Sequence, residues 1–234
     1  VVAVASPDDV APVRRHGNPA VMCVPNAVRL DTPRRSSRSR LGRGSLPRLL
    51  FVGNLTYRPN ADAVEWFVRE VLPLIQEQEQ EQERGRAIEL DVVGPLGFDP
   101  SELTPDPHVH FLGSVRDLAD VYAAADLVVV PVRSGGGTRI KVLEAAAHGV
   151  PIVSTTFGVG GLAVRDGVHL LVGDTPAAFA DACVATLRDP VEAGERAARA
   201  RTLVEQQHSV DSVVSLIAEA ISGELPSESS TPAI

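Results

Sequence analysis

The chain reads as an α/β protein built on a doubly wound parallel sheet. Three observations predict this. From Arg48 onward, short apolar runs alternate with amphipathic segments of helical period. Runs such as Leu127–Val130 hold Val and Leu without polar alternation, as strands covered on both faces do. Glycine-bearing turns follow several of these runs, at the strand ends where such sheets bind their ligands.

Val1–Ala5 reads as a strand and Pro7–His16 as a helix, capped by Ser6 with Pro7 at its first position. The opening VVAVAS lacks the basic stretch of a signal peptide and looks like a strand cut into mid-fold. Val21–Val24 is a second strand, closed by the Pro25-Asn26 turn. These elements make residues 1–32 a small N-terminal piece. Arg34, Arg35, Arg38, Arg40, Arg43 and Arg48, interleaved with Ser and Gly, read as a flexible surface loop that sets off 33–47 as a linker, with a site attracting phosphate or acidic lipid as the alternative.

Residues 48–190 form the main domain. Leu49–Val52 is a buried strand, and Asn60–Leu74 a helix with Val64, Phe67, Val68 and Val71 at helical spacing. The Gln/Glu run Gln76–Arg84 reads as a solvated extension of it. Ile88–Val93 and Val109–Leu112 are strands, Leu118–Ala124 a helix and Leu127–Val130 a strand. Arg139–Ala147 is a helix, Pro151–Ser154 and His169–Leu171 are strands, and Pro176–Leu187 is a helix. Val191–Gln206 and Ser209–Ile221 supply a helical segment over 191–223, and the Ser-, Pro- and Glu-rich tail 224–234 is too polar to order.

A formal net charge of −8 argues against neutralising many phosphates, so no nucleic-acid partner is expected. Cys23 and Cys183 lie far apart and match no metal spacing. They are expected as buried thiols in a reducing, cytoplasmic compartment. No apolar run reaches the length of a membrane span.

Three loops that follow strands carry candidate chemistry. In the first, Gly53-Asn54-Leu55-Thr56-Tyr57-Arg58-Pro59-Asn60, the glycine permits a close backbone approach, Arg58 offers a charge for phosphate, and Asn60 can cap the next helix. The second, Gly113-Ser114-Val115-Arg116-Asp117, reads alone as a turn with Asp117 at a helix start. The third, Ser134-Gly135-Gly136-Gly137-Thr138-Arg139, leaves amides bare at the head of a helix, which suits an anion. Gly137, Lys141, Glu144 and His148 fall on one helical stripe, while Ile140, Leu143 and Ala147 face the core. A carboxylate at Glu144 can then accept hydrogen bonds from vicinal ribose hydroxyls, although a plain exposed Lys–Glu pair has the same spacing. Neither a Walker A loop nor a Gly-x-Gly-x-x-Gly fingerprint is present. Gly158-Val159-Gly160-Gly161 supplies a turn between strands, and the histidines, among them His108, His110 and His148, form no catalytic set.

FVGNLTYRPN (51–60), HFLGSV (110–115), AADLVVVPV (124–132), GGGTRIKVLEAAAHGVPIVST (135–155) and DGVHLLV (166–172) carry a resemblance. Their order and spacing over 49–190 resemble the C-terminal domain of GT-B glycosyltransferases of family 4, the group 1 type. The GGTRxKVLE variant is similar to a bacterial branch found with exopolysaccharide clusters. The resemblance implies a Rossmann-like lobe that binds a nucleotide-diphosphate sugar as donor, with neither metal nor separate cofactor. It implies transfer of a hexosyl-type group to an acceptor hydroxyl in polysaccharide or glycoconjugate synthesis. Glu144 would hold the ribose, Gly53-Asn54 would face the phosphates and Ser114-Val115 would flank the base. Gly136, Gly137 and Thr138 would form the platform for the diphosphate.

Two features depart from the family pattern. Gly136 stands where a glutamate often contacts the sugar, eight residues before Glu144. Asn54 stands where an arginine often holds the diphosphate, and the lysine that accompanies it falls near Pro59 and Asn60. Arg58, Lys141 and Arg139 are the candidate replacements, Lys141 ahead of Arg139 because it shares the stripe of Glu144. Residues 1–24 resemble the end of an N-terminal lobe that is otherwise largely absent, and the helices after Val191 resemble the segment that packs back toward it. An acceptor glycan or lipid-linked glycan is expected to bind through that lobe, at the inner face of a membrane. Two other functions stay open: a lobe that holds a nucleotide sugar without transfer (or a truncated remnant), and a GT-B nucleotide-sugar epimerase.

Overall fold

The computed structural model describes residues 2–5, 9–17, 21–30, 46–80, 87–103 and 106–222. Near the N-terminus, β1 (Val2–Val4) pairs in parallel with β2 (Val21–Cys23), joined through α1 (Val10–Arg15). The expected Ser6 cap lies outside the described residues, as do most of the 33–47 linker, residues 81–84 of the Gln/Glu run and the 224–234 tail.

The main sheet contains β3 (Arg48–Val52), β4 (Glu89–Val93), β5 (Val109–Gly113), β6 (Leu127–Val130), β7 (Ile152–Ser154) and β8 (Leu171–Val172). All pairings are parallel, in the order β5-β4-β3-β6-β7-β8. The chain steps outward from β3 to β5, then returns to place β6 against the free side of β3, with Leu49 opposite Leu127. That reversal is the topological switch point, where adjacent connections leave on opposite faces and open a crevice. Every residue of β6 is buried, as its unbroken LVVV run requires. The last strand falls later than expected, at Leu171–Val172 instead of His169–Leu171. The reason is a turn: Gly167 has φ 71°, and the His169 ring nitrogen accepts the Arg165 amide.

The helix after β3 runs through α2 (Arg58–Trp66), a π-helical turn (Phe67–Val71) and α3 (Leu72–Gln80). Pro73 explains the wider turn. In a regular α-helix its ring would press on the carbonyl four residues back, and widening relieves that contact. The Leu72 amide accordingly bonds to the Phe67 carbonyl, five residues back. The expected solvated extension holds at Glu77 and Gln80, which are exposed, but not at Glu79, which is buried against α6 (Pro176–Arg188) and accepts from Arg188 Nε at 3.1 Å. Phe179 of α6 meets Trp66 and Phe67 edge-on at 5.7 and 5.8 Å, closing the core on that face.

The remaining helices are α4 (Leu118–Ala124), α5 (Ile140–Ala147), α7 (Pro190–Gln207) and α8 (Val210–Ser222). Between β2 and β3 the chain crosses to the junction of α7 and α8. There the Val28 amide donates to the His208 carbonyl at 2.8 Å, and the His208 ring Nδ1 lies 3.0 Å from the Asn26 carbonyl. Cys183 is fully buried and Cys23 partly so, both as free thiols.

Candidate functional site

A cavity of about 260 Å³ opens at the switch point, between the carboxyl ends of β3 and β6. Gly53, Asn54, Gly136, Thr138, Arg139, Lys141 and Glu144 border it, with Tyr57 and Asn60 completing the wall. Most of the residues singled out from sequence therefore converge. Arg58, Ser114 and Val115 do not border the cavity. Arg58 is exposed on the first turn of α2, and Ser114 follows β5, which β4 separates from β3. Gly137 borders a second cavity of about 250 Å³ with Asn26, Gly160, Gly161 and His208. Thr138 and Arg139 border both.

The glycine run is not the row of bare amides that its composition suggests. α5 begins at Ile140, beyond the glycines, so Gly137 is not part of the helical stripe. The Gly136 amide donates to the Tyr57 hydroxyl at 3.1 Å. Gly135 has φ 107°, a conformation open to glycine, and a Cβ there would strike Pro59 and Tyr57. The run lets the loop lie flat against Tyr57. Leu143 and Ala147 face the core as expected, while Ile140 is only half-buried.

Lys141 projects from the first turn of α5. Its Nζ donates to Asn60 Oδ1 at 2.7 Å and lies 4.5 Å from the centre of the Phe51 ring. Burial, reinforced by Arg139 and opposed by Glu144, pulls its pKa from 10.5 down to about 8. At neutral pH the amine still carries its charge, with few partners to neutralise it. Lys141 is the only lysine in the chain.

Asn60 does not cap the helix, because α2 starts two residues earlier with Pro59 in its first turn. Its side chain instead bridges two elements, donating to the Asn54 carbonyl at 2.9 Å while accepting from Lys141. Asn54 folds on itself: its Oδ1 accepts from the Thr56 amide at 2.9 Å and the Thr56 hydroxyl at 2.7 Å. Gly53 admits this arrangement, since a Cβ there would lie 3.1 Å from both Asn60 and Lys141 Nζ.

Arg139 occupies the cap position of α5 and donates to the Gly137 carbonyl at 2.9 Å. Its guanidinium stacks over Phe157, 4.6 Å from the ring centre, with Nε buried and unpartnered. Among the described residues, Glu144 is the one carboxylate on the cavity wall. Burial raises its pKa, while a hydrogen bond from Tyr122 and the charge of Lys141 act against that rise. Among the described residues, no group of His, Cys, Asp or Glu side chains is arranged to hold a metal ion. Nor is any helix among them long and apolar enough to cross a membrane.

Sequence reasoning missed Tyr57 and Tyr122 and misread Asn60. One signal was available. The chain has two tyrosines and one lysine: Tyr57 and Lys141 border this cavity, and Tyr122 hydrogen-bonds Glu144 on its wall.

The profile described as "Glycosyl transferases group 1" matches residues 46–189, more than half of the chain and the whole of this site. The chain belongs to the group 1 glycosyl transferases. Among its relatives in the family is the D-inositol 3-phosphate glycosyltransferase of Kineococcus radiotolerans, 33% identical over 76% of this chain and 47% of its own length. The phosphatidyl-myo-inositol mannosyltransferase of Mycobacterium leprae is 38% identical over 36% of this chain and 24% of its own. This group 1 chain thus spans half or less of these curated relatives. Its fold is shared with Anabaena HepE in complex with UDP, at a TM-score of 0.72 and 20% identity, over 95% of this chain and 64% of that one. WaaG, a glycosyltransferase involved in lipopolysaccharide biosynthesis, aligns with a TM-score of 0.68 and 21% identity over 94% and 62%. Such GT-B neighbours place the six-stranded parallel sheet in the α/β class expected from sequence.

Proposed function

We propose that this chain is the donor-binding lobe of a glycosyltransferase that moves a sugar from a nucleoside diphosphate to an acceptor hydroxyl. One observation carries the reading: a lone ammonium and a lone carboxylate, Lys141 and Glu144, stand one turn apart on the wall of a switch-point cavity. A nucleoside diphosphate offers the matching pair of groups, an anion and a vicinal diol.

In this reading Lys141 faces the diphosphate, supported by Arg139 and the head of α5. Arg58, exposed outside the cavity, supplies longer-range attraction. Glu144 accepts from the ribose, Gly53 and Asn54 flank the phosphates, and Ser114 and Val115 lie toward the base. When the sugar–oxygen bond breaks, its electron pair stays on the diphosphate, and these cations stabilise the growing charge without a metal ion. Gly136, Gly137 and Thr138 line the loop ahead of α5 that forms the platform for the diphosphate, with no carboxylate at Gly136 to contact the sugar.

Finer assignments are part of the same proposal. Membership of glycosyltransferase family 4 and of the exopolysaccharide-associated branch rests on the GGTRxKVLE run. A role in polysaccharide or glycoconjugate synthesis, with a glycan or lipid-linked acceptor at the cytoplasmic face of a membrane, is supported by relatives named for phosphatidyl-myo-inositol and for a cps region. Titration of the chain with UDP, GDP and ADP tests donor binding. Lys141→Ala and Glu144→Ala should each weaken the tightest of the three at least tenfold. Unchanged affinity in both variants would refute the site.

A second reading, a lobe that binds donor without transfer, draws on Glu144 being the one carboxylate that the described residues place on the cavity wall. Product analysis with a supplied acceptor separates the two, since only transfer yields a glycosylated product.

A further inference from the structure

A carboxylate that recognises hydroxyl groups must be ionised and held in one rotation. The surroundings of Glu144 act on both. Its Oε2 accepts from the Tyr122 hydroxyl at 3.2 Å. Tyr122 is fully buried, and its ring lies nearly parallel to that of His148, with centres 4.5 Å apart and planes 15° apart. His148 closes α5 one turn beyond Glu144. The phenol is thereby held between α4, which carries it, and the helix that carries the carboxylate.

Filling this space requires only an aromatic ring. Phenylalanine would pack against His148 equally well and leave no buried hydroxyl to satisfy. The hydroxyl instead meets the single carboxylate of the cavity. The other charged groups nearby are Lys141, one turn before Glu144, and Arg139 beside Lys141. Around His148 stand Arg201 of α7 and Asp117 at the head of α4, and burial holds the imidazole below its ordinary pKa.

The geometry points to Tyr122 as a positioning residue for nucleotide recognition: its hydroxyl pins Oε2 of Glu144, so that Oε1 is presented to the ribose hydroxyls. The inference rests on the donor-site reading of Glu144.

The test compares the tightest of UDP, GDP and ADP with its 2′-deoxy and 3′-deoxy forms. Wild type is expected to favour the ribonucleotide. Tyr122→Phe, with its fold verified by near-UV circular dichroism, should bind the ribonucleotide about tenfold more weakly, the effect of one hydrogen bond to a charged acceptor. The corresponding deoxy form should change little, so discrimination collapses. The acid limb of binding should also move to higher pH, because the lost hydrogen bond favoured the ionised carboxylate. In a Glu144→Gln background, Tyr122→Phe should add nothing. His148→Ala, which releases the stacked ring, should erode discrimination in the same direction.

Full discrimination in both Tyr122→Phe and His148→Ala overturns the inference. So does a Tyr122→Phe effect that persists undiminished beside Glu144→Gln. A wild-type chain indifferent to the ribose hydroxyls sinks the Glu144 reading itself, and the positioning role with it.

Discussion

The structure holds the amine of Lys141 where charge is costly, against the Phe51 ring and with Asn60 Oδ1 as its neutral acceptor. The fall from 10.5 to about 8 corresponds to about 3 kcal/mol of unfavourable charge burial in the folded state. Below pH 8 both folded and unfolded chains carry this proton, and the cost is fully present. Between 8 and 10.5 the unfolded chain keeps a proton that the folded chain has lost, so stability rises with pH. Lys141→Met keeps the side-chain bulk and removes the charge. It is expected to be more stable than wild type at pH 7 by about 2 kcal/mol, after roughly 1 kcal/mol is deducted for the lost Asn60 hydrogen bond. Urea denaturation at pH 7 and again near pH 9.5 measures both proteins. The gap should narrow by roughly 2 kcal/mol between those two conditions. Tyr122, whose hydroxyl is raised well above 10 by burial and by Glu144, is common to both proteins and cancels in the comparison. UDP should stabilise wild type more than the variant, because a diphosphate restores a partner to the ammonium. A gap that stays constant with pH would show that Lys141 carries no buried-charge cost. An amine reagent gives an independent check, since the chain has no other ε-amine to react.

Two further outcomes follow from geometry. Gly94 has φ 140°, and a Cβ there would collide with the Gly53 carbonyl at the base of the cavity, so Gly94→Ala should destabilise the chain by on the order of 2–4 kcal/mol; a thermal melt unchanged from wild type would contradict this. Glu89 is braced by His108 and His110, and although burial works against its charge, these partners hold its pKa below the usual range. Its contribution is present above the unfolded carboxyl value and is lost as pH falls through the lowered one. Glu89→Gln should therefore flatten the acid side of the stability–pH curve, and identical curves would refute it.

The elements read correctly from sequence are those whose cause is local. Leu118–Ala124 has Asp117, whose side chain accepts the Ala119 amide at 2.8 Å, and Leu127–Val130 is an unbroken apolar run. The helix through Pro73 runs on into the Gln/Glu run as read, but that run's composition masks the contacts that α6 supplies, among them Glu79 with Arg188. Lys141 and Glu144 were legible because they share a helix, so spacing alone aligns them. Tyr122 was not. Its partner Glu144 lies 22 residues away, across two strand–helix connections that periodicity cannot orient. Asn60 failed for a related reason: a residue suited to capping was placed two positions inside the helix, where its amide serves Asn54 and Lys141 instead.

The crossing segment between the two sheets has a mechanical consequence. Asn26 gives its side-chain amide to the Thr138 hydroxyl and its carbonyl to the His208 ring, while Val28 pairs with Ser209. The segment is thus tethered at two places, the loop leading into α5 and the α7–α8 junction. A swing of the β1–β2 sheet about residues 24–30 must either shear the Asn26 tether or drag Thr138 with it. Thr138 stands on the rim shared by both cavities. Any motion of the small sheet would therefore bear on the mouth of the Lys141 cavity through the Asn26 amide.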